Sequence, residues 1–426
     1  MKPDSLRSTR FCSGLTRRLA LAAILLAVTS LGAQSAQSQS NPAPATTPTP
    51  LLTSTQAVDW WFAFKFNAEA MPGCGGTAQR VCTFGGTVQP YHEFSQQFAY
   101  ASSANHTLQQ GDGCIGDTTA DPVGATFNQV YTGRLYYVLW NDQFYGNPII
   151  SEDAPEGHSK GMLAWDNTGN GFVLQVSTPS WPGSGSDLFP RRVDGNTLGC
   201  IQDNDVMVSQ HFFALKLNKD DVVTVLKALQ NASVVTDPTK QELVNNGGPA
   251  DIQALVKLLG KVSTSKAVTK DTLSSGVVLI SKPSDLHVPP WQMVSALLDG
   301  VSLRAATWWA KPEIPTTTAS TVIGCWDSSL SKPGAVDIAT SGTWAGKSIG
   351  LDGIAEPEGN HAKVGVSTSG THSYSIFGDM NQQGSLSGPN CASSQNGRGG
   401  MFFVVDDQAL FASINALLKG ASGPPK

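Results

Sequence analysis

Two short runs carry the residue types of a metal-free phosphoryl-transfer site: Gly157-His158-Ser159-Lys160-Gly161 and Asn360-His361-Ala362-Lys363-Val364. Both are His-x-Lys, they lie about half a chain apart, and the chain has only seven histidines. A neutral imidazole attacks phosphorus, an imidazolium protonates a leaving oxygen, and two ammonium groups hold the charge on the non-bridging oxygens. One motif supplies half of this chemistry. Two supply all of it, provided the two halves fold against each other. Either motif alone reads more readily as a surface histidine beside a solvated lysine. There is no Cys-x-x-Cys and no carboxylate-rich loop of the kind that binds zinc or calcium, so no metal and no other cofactor is expected.

The required elements are ones that bring both motifs to one place. Strand-like runs cover Trp60 to Phe66, Leu135 to Trp140, Gly171 to Ser177, His211 to Leu217, Gly276 to Ile280 and Met401 to Val405. Helix signals cover Asp220 to Gln230, Pro249 to Leu259 and Asp406 to Leu418, the last with Gly420 just past its end. One order of features occurs twice. A Trp-Trp strand with a nearby lysine (Trp60-Trp61 with Lys65; Trp308-Trp309 with Lys311) precedes His-x-Lys, and a strand then leads into an Asp-Asp-led helix (Asp220-Asp221; Asp406-Asp407). An internal duplication with two-fold symmetry would deliver both motifs to one interface from the ends of equivalent strands. The tryptophans read as core, with Trp60, Trp61, Trp308 and Trp309 alternating across strand faces, although base stacking in a channel is the other use of exposed indoles.

The start of the chain reads as an address. Arg7, Arg10, Arg17 and Arg18 precede an apolar run from Leu19 to Val28 and small residues near Ala36, which is the pattern of a signal peptide over residues 1–36. Residues 37–56 are Ser, Gln, Pro, Thr and Ala in the main and read as a disordered spacer. Five of the 28 basic and one of the 33 acidic residues lie before residue 37, which leaves 23 and 32 and a net charge of −9. An acidic chain meets a polyanion only through a locally basic cleft or at low pH. Beyond Cys12 six cysteines remain, Cys74, Cys82, Cys114, Cys200, Cys325 and Cys391, and an even number in an exported chain implies three disulfides of open pairing. Export places the protein outside the cell or in a periplasm. No other segment reads as a membrane span, no stable membrane association or obligate protein partner is marked, and the oligomeric state stays open.

Several further runs share one order: Val58-Asp59-Trp60-Trp61 with Lys65; Leu139-Trp140-Asn141-Asp142-Gln143; the first His-x-Lys with Asp166, Gly171-Phe172 and Ser177-Thr178-Pro179; the second with Val366-Ser367, Gly378-Asp379-Met380-Asn381 and Arg398-Gly399-Gly400. In this order they resemble the deoxyribonuclease II family, from about residue 57 to 420. The resemblance implies an α/β (α+β) fold of the phospholipase D type: two pseudo-symmetric α/β/α halves, residues 57–235 and 236–420, sharing one active site, with 421–426 as a tail. It also implies DNA as substrate, products with 3′-phosphate and 5′-hydroxyl ends, and no required metal. The family's second motif usually reads Asp-His-Ser-Lys-Trp, whereas here Asn360, Ala362 and Val364 flank the chemical residues. Cys391 precedes Arg398 where the animal enzymes place a cysteine after it, so their pairing does not transfer.

The residues then take roles. His158 is favoured as nucleophile and His361 as general acid, labels that pseudo-symmetry leaves nearly interchangeable, and Lys160 and Lys363 bind the phosphate. Asn381 donates a further hydrogen bond, Asp166 or Asp379 orients a His or Lys from behind, and Ser177 is counted as supporting. Three function classes remain: a secreted endonuclease, a phospholipase or other phosphodiesterase of the same fold, and a non-catalytic exported binding protein.

Overall fold

Long runs of β-branched and aromatic residues without alternation dictate strands covered on both faces, and that is where the sheets lie. The computed structural model describes residues 47–74, 81–88, 96–144, 153–191, 194–201 and 206–425. The expected signal peptide, residues 37–46 of the spacer, and His92 lie outside the described residues.

The chain opens with β1 (Leu51–Thr53) and β2 (Gln56–Ala57). The first half continues with β3 (Trp60–Lys65), β4 (Phe98–Ser102), β5 (Asn105–Gln110), α1 (Pro122–Tyr131), β6 (Tyr136–Asn141), β7 (Lys160–Trp165), β8 (Gly171–Val176), β9 (Gln210–Leu217), α2 (Lys219–Asn231), β10 (Val244–Asn245) and α3 (Ala250–Val256). The second comprises β11 (Thr269–Thr272), β12 (Val278–Lys282), α4 (Pro290–Leu297), β13 (Leu303–Ala306), β14 (Val336–Ile338), β15 (Ser341–Trp344), β16 (Lys347–Gly350), β17 (Val364–Ser367), β18 (Tyr374–Gly378), β19 (Gly400–Asp406) and α5 (Gln408–Leu417).

The first large sheet has the order β10-β6-β7-β8-β9-β3-β4-β5 and the second β14-β13-β17-β18-β19-β12-β11. The run β6-β7-β8-β9-β3 therefore matches β13-β17-β18-β19-β12 strand for strand, all pairs antiparallel. Inner faces of the two sheets meet directly. Phe62 stacks on Phe377 at 4.4 Å between ring centroids, and Phe213 lies 4.7 Å from Phe377 and 5.5 Å from Phe403. Such aromatic contacts bury large apolar areas and add about 0.5–1.5 kcal/mol each beyond burial. The helix after each equivalent strand crosses to the other half: α2 packs on β12 as well as β8, and α5 packs on β5 as well as β18. Mixed helices and sheets of this kind are the α+β class read from the sequence.

Several expectations change. The spacer does not reach residue 56, because Leu51 N donates to Thr126 Oγ1 of α1 at 2.9 Å, Val58 N donates to Pro50 O at 3.0 Å, and Leu52 is buried. A division at 235/236 falls too early, since β10 pairs with β6 in the first sheet and α3 packs on α2. The supposed tail is paired: Ser422 bridges to Ala339 and Pro425 to Thr316. Trp308 and Trp309 do not form a strand but follow β13, and Lys311 is exposed beside Glu313. The counterpart of Lys65 is Lys282, at the ends of the equivalent strands β3 and β12. Helices α1 and α4 carry Pro near their starts, and Asp121 caps α1, a start signal that the strand-dominated reading passed over.

Candidate active site

Both His-x-Lys motifs sit at the entry of equivalent strands, with Lys160 opening β7 and Lys363 just ahead of β17. Each is tied to the other half by its histidine amide. His158 N donates to Gly399 O at 2.8 Å, just before β19, and His361 N donates to Ser209 O at 2.7 Å, just before β9. Backbone pairing across the pseudo-two-fold is what brings the two motifs together. Gly157 and Gly399 are required for this approach, because a Cβ at either would stand 2.3 or 2.1 Å from the Ala232 carbonyl at the end of α2. Two buried lysines brace the segments that supply the acceptors. Lys65 Nζ donates to the carbonyls of Phe66, Val206 and Val208, and Lys282 Nζ donates to those of Pro283, Asn396 and Arg398.

The result is a small cleft of about 160 Å³ lined by Gln143, His158, Lys160, Ser177, Trp308, His361, Lys363 and Asn381. Six of the eight residues singled out in the sequence line it. A larger groove, about 670 Å³, opens beside Trp60 and Lys216 at the other ends of β3 and β9 and contains neither His-x-Lys motif.

His158 Nδ1 lies 2.7 Å from the Asp379 carbonyl oxygen. A carbonyl only accepts, so Nδ1 carries the proton and Nε2 has the free lone pair. Asp379 thus orients His158 through its backbone, with its carboxylate turned away to accept from Met401 N at 2.9 Å and Gln175 Nε2 at 3.1 Å. Burial pushes that carboxyl up to about 7 against the pull of Ser159, Met401 and Gln175. On the other side the His361 ring packs edge-to-face on Trp308 at 4.2 Å. Asn381 Nδ2 donates to Gln383 Oε1, and Ser177 Oγ accepts from His211 N at 2.8 Å and donates to Gln210. Lys363 Nζ donates to His361 O at 2.6 Å, and its amide donates to Nδ1 of the buried His211.

Asp166 is not part of the site. It lies beyond the far end of β7, about 20 Å from Lys160 at a strand's rise per residue. There its carboxylate closes a turn by accepting from Thr168 and Asn170. Besides Gln143 and Trp308 in the lining, Asp142 and Arg398 behind it had no role assigned from sequence. Asp142 Oδ1 accepts from Lys160 Nζ at 2.5 Å, and its Oδ2 accepts from Arg398 Nη2 at 2.9 Å. Arg398 also donates to the Gly157 and Glu156 carbonyls. Their positions within the Trp-Asn-Asp-Gln and Arg-Gly-Gly runs were the available signal.

Electrostatics follow from this packing. Burial, then the charge of Lys160, push His158 well below its ordinary pKa, and Asp142 pulls it the other way. Burial, then Lys363 and Lys160, do the same to His361, again opposed by Asp142. Burial alone would raise Asp142, but Lys160, His158 and Arg398 outweigh it and hold the carboxyl well below the carboxylate range. Two imidazoles and two lysine side chains facing one polar cleft can bind a phosphodiester and exchange protons with it.

A family profile described as Deoxyribonuclease II matches residues 50–422. The chain belongs to the deoxyribonuclease II family. It is a DNA-hydrolysing enzyme with the phospholipase D-like fold of that family. Among curated proteins it is similar to Deoxyribonuclease-2-alpha of Mus musculus, 27% identical over 54% of this chain and 70% of that protein. It is also similar to Cell-death-related nuclease 7 of Caenorhabditis elegans, 23% identical over 84% of this chain and 82% of that protein. Deoxyribonuclease-2-alpha of Rattus norvegicus is 28% identical over 35% of this chain and 39% of that protein. Cys74–Cys114, Cys82–Cys200 and Cys325–Cys391 form three disulfides, and no described helix is long and apolar enough to cross a membrane.

Proposed function

We propose that this deoxyribonuclease II-family enzyme is an exported endonuclease that cuts DNA through a phosphohistidine without a metal ion. The observation that carries the reading is the convergence of both His-x-Lys motifs in one cleft. His158 Nε2 attacks phosphorus in line, since the Asp379 carbonyl holds its other nitrogen protonated. The P–O5′ bond breaks, and His361 gives its proton to O5′. Water then attacks the phosphorus, passes a proton to His361, and releases a 3′-phosphate as the P–N bond breaks. The two products carry 3′-phosphate and 5′-hydroxyl ends. Lys160 and Lys363 stay on the non-bridging oxygens through both steps.

Lys160 and Lys363 supply positive charge where the phosphate would sit, and among the described residues no group of three His, Cys, Asp or Glu side chains is placed to hold a metal ion. The cleft is polar apart from Trp308, which offers no seat for acyl chains and disfavours the phospholipase reading. Three disulfides support an oxidising compartment, outside the cell or periplasmic.

Plasmid DNA incubated in excess EDTA with the wild type, His158→Ala and His361→Ala tests the reading. Wild type is expected to nick fully, and each variant to lose about three orders of magnitude or more while keeping its circular dichroism spectrum. New 5′ ends should accept phosphate from polynucleotide kinase without prior phosphatase. Cleavage lost in EDTA and restored by magnesium would overturn it, as would near-normal nicking by either folded variant.

A further inference from the structure

The pseudo-two-fold is broken at one position beside the chemistry. Trp140 pairs with Gly161, the residue after Lys160, and Ala306 pairs with Val364, the residue after Lys363. Counting two residues on from each, Asp142 in the first half corresponds to Trp308 in the second. The first half therefore sets a carboxylate on its lysine, where the second sets an indole on its histidine. Asp142 is 1% exposed and spans the halves, with Lys160 on one oxygen and Arg398 of the other half on the second. Arg398 in turn holds the carbonyls of Glu156 and Gly157, the residues that lead into His158.

Resting on the functional reading above, we propose that Asp142, clamped by Arg398, is a positioning residue that aims Lys160 at the scissile phosphate and offsets its charge so that the histidine pair can exchange protons. Three functions meet in the one carboxylate. It fixes an otherwise flexible lysine through a short charge-assisted hydrogen bond. Through Arg398 it locks the His158 segment to the second half. It is also the ionised acid that acts on both histidines.

The groups facing His158 are Lys160, Asp142, Arg398 and Lys363, with Asp379 behind it. Those facing His361 are Lys363, Lys160, Asp142 and Lys65, and His211 lies behind the Lys363 amide. Every cation in these sets lowers the imidazoles, and Asp142 raises them. Asp379, with its carboxyl near 7, is largely neutral in acid and cannot take over that work.

Asp142→Asn keeps the shape and removes the charge. It leaves the cleft one unit more positive, so polyanion binding is not weakened, while the lysine loses its aim. On a defined oligonucleotide, kcat is expected to fall about 10- to 100-fold with KM unchanged or lower. The limb of the kcat/KM profile set by the protonated histidine should move to lower pH by about one unit. Wild-type kcat with a wild-type pH profile, or a raised KM at unchanged kcat, would overturn the proposal. If Asp142→Asn does not fold by circular dichroism, Asp142→Glu replaces it. That variant keeps the charge but displaces it, so the pH profile should hold while kcat falls, and undiminished kcat would overturn the proposal. Wild type that fails to cut DNA in EDTA would instead sink the functional reading, leaving the two failures distinguishable.

Discussion

At the residue scale, the histidines are set for acid. The general acid must be protonated, and both histidines lie well below their ordinary value because burial and the lysines disfavour an added positive charge. A lowered value means that the protonated fraction of His361 falls as pH rises through that value, so kcat/KM should decline between pH 5 and pH 7. A bound phosphodiester adds a negative charge between the lysines and raises the imidazoles again, so the kcat profile should lie at higher pH than that of kcat/KM. Initial rates at fixed ionic strength on a defined oligonucleotide check both statements, and a kcat/KM that climbs steadily from pH 5 to 8 would remove His361 as the acid. The pair titrates as a unit, so the profile belongs to both histidines.

At the element scale, the site depends on two strand ends, each stitched by a buried lysine. Lys282 closes β12 and donates to the carbonyl of the adjoining Pro283 and to those of Asn396 and Arg398 in the segment leading into β19, and burial pushes its amine down to about 7. The Gly399 carbonyl that holds the His158 amide adjoins one of those three acceptors. Lys282→Met keeps the length and removes the donors, leaving buried carbonyls unsatisfied. The expected loss is about 3 kcal/mol of stability, with a lower kcat from a displaced His158. Urea unfolding and oligonucleotide cleavage measure the two effects. Lys311→Met is the control: its exposed ammonium only meets Glu313, so both measurements should match wild type. Equal effects at Lys282 and Lys311 would undo the correspondence between Lys65 and Lys282.

At the scale of the whole molecule, one cleft between two halves concentrates buried ionisable groups, and stability inherits their shifts. His158, His361 and His211 are lowered, so below about 6.5 the unfolded chain takes up protons that the folded chain refuses, and this term removes stability as pH falls. Asp379 and Asp121 are raised by burial, to about 7 and about 6, so the folded chain takes up protons there that the unfolded chain does not, and this term adds stability as pH falls toward 3.8. Three lowered histidines against two raised carboxyls leave the balance of proton uptake with the unfolded chain between pH 6 and 5, so stability falls there as pH falls. Urea midpoints at pH 7, 6 and 5 should therefore decrease. A midpoint that rises toward pH 5 would mean that the buried carboxyls outweigh the histidines.

What the sequence determined by itself was the pair of candidate motifs and the class of the fold. His158, Lys160, His361 and Lys363 were visible because reactive side-chain types at a repeated short spacing do not depend on how distant segments pack. Continuous apolar runs such as Trp60 to Phe66 likewise mark strands wherever both faces are covered. Asp379 was named for its carboxylate, and only the fold shows that its backbone carbonyl meets His158. Asp166 resembled a partner from its place after the motif, but a strand carries it to the opposite end of the sheet within six residues. Trp308-Trp309 matched Trp60-Trp61 as letters, while hydrogen-bond register matches Trp308 to Asp142. Tertiary structure alone decided these, because they rest on contacts between distant parts of the chain, as in Asp142 with Arg398, 256 positions apart, and local pattern carries no record of such pairings.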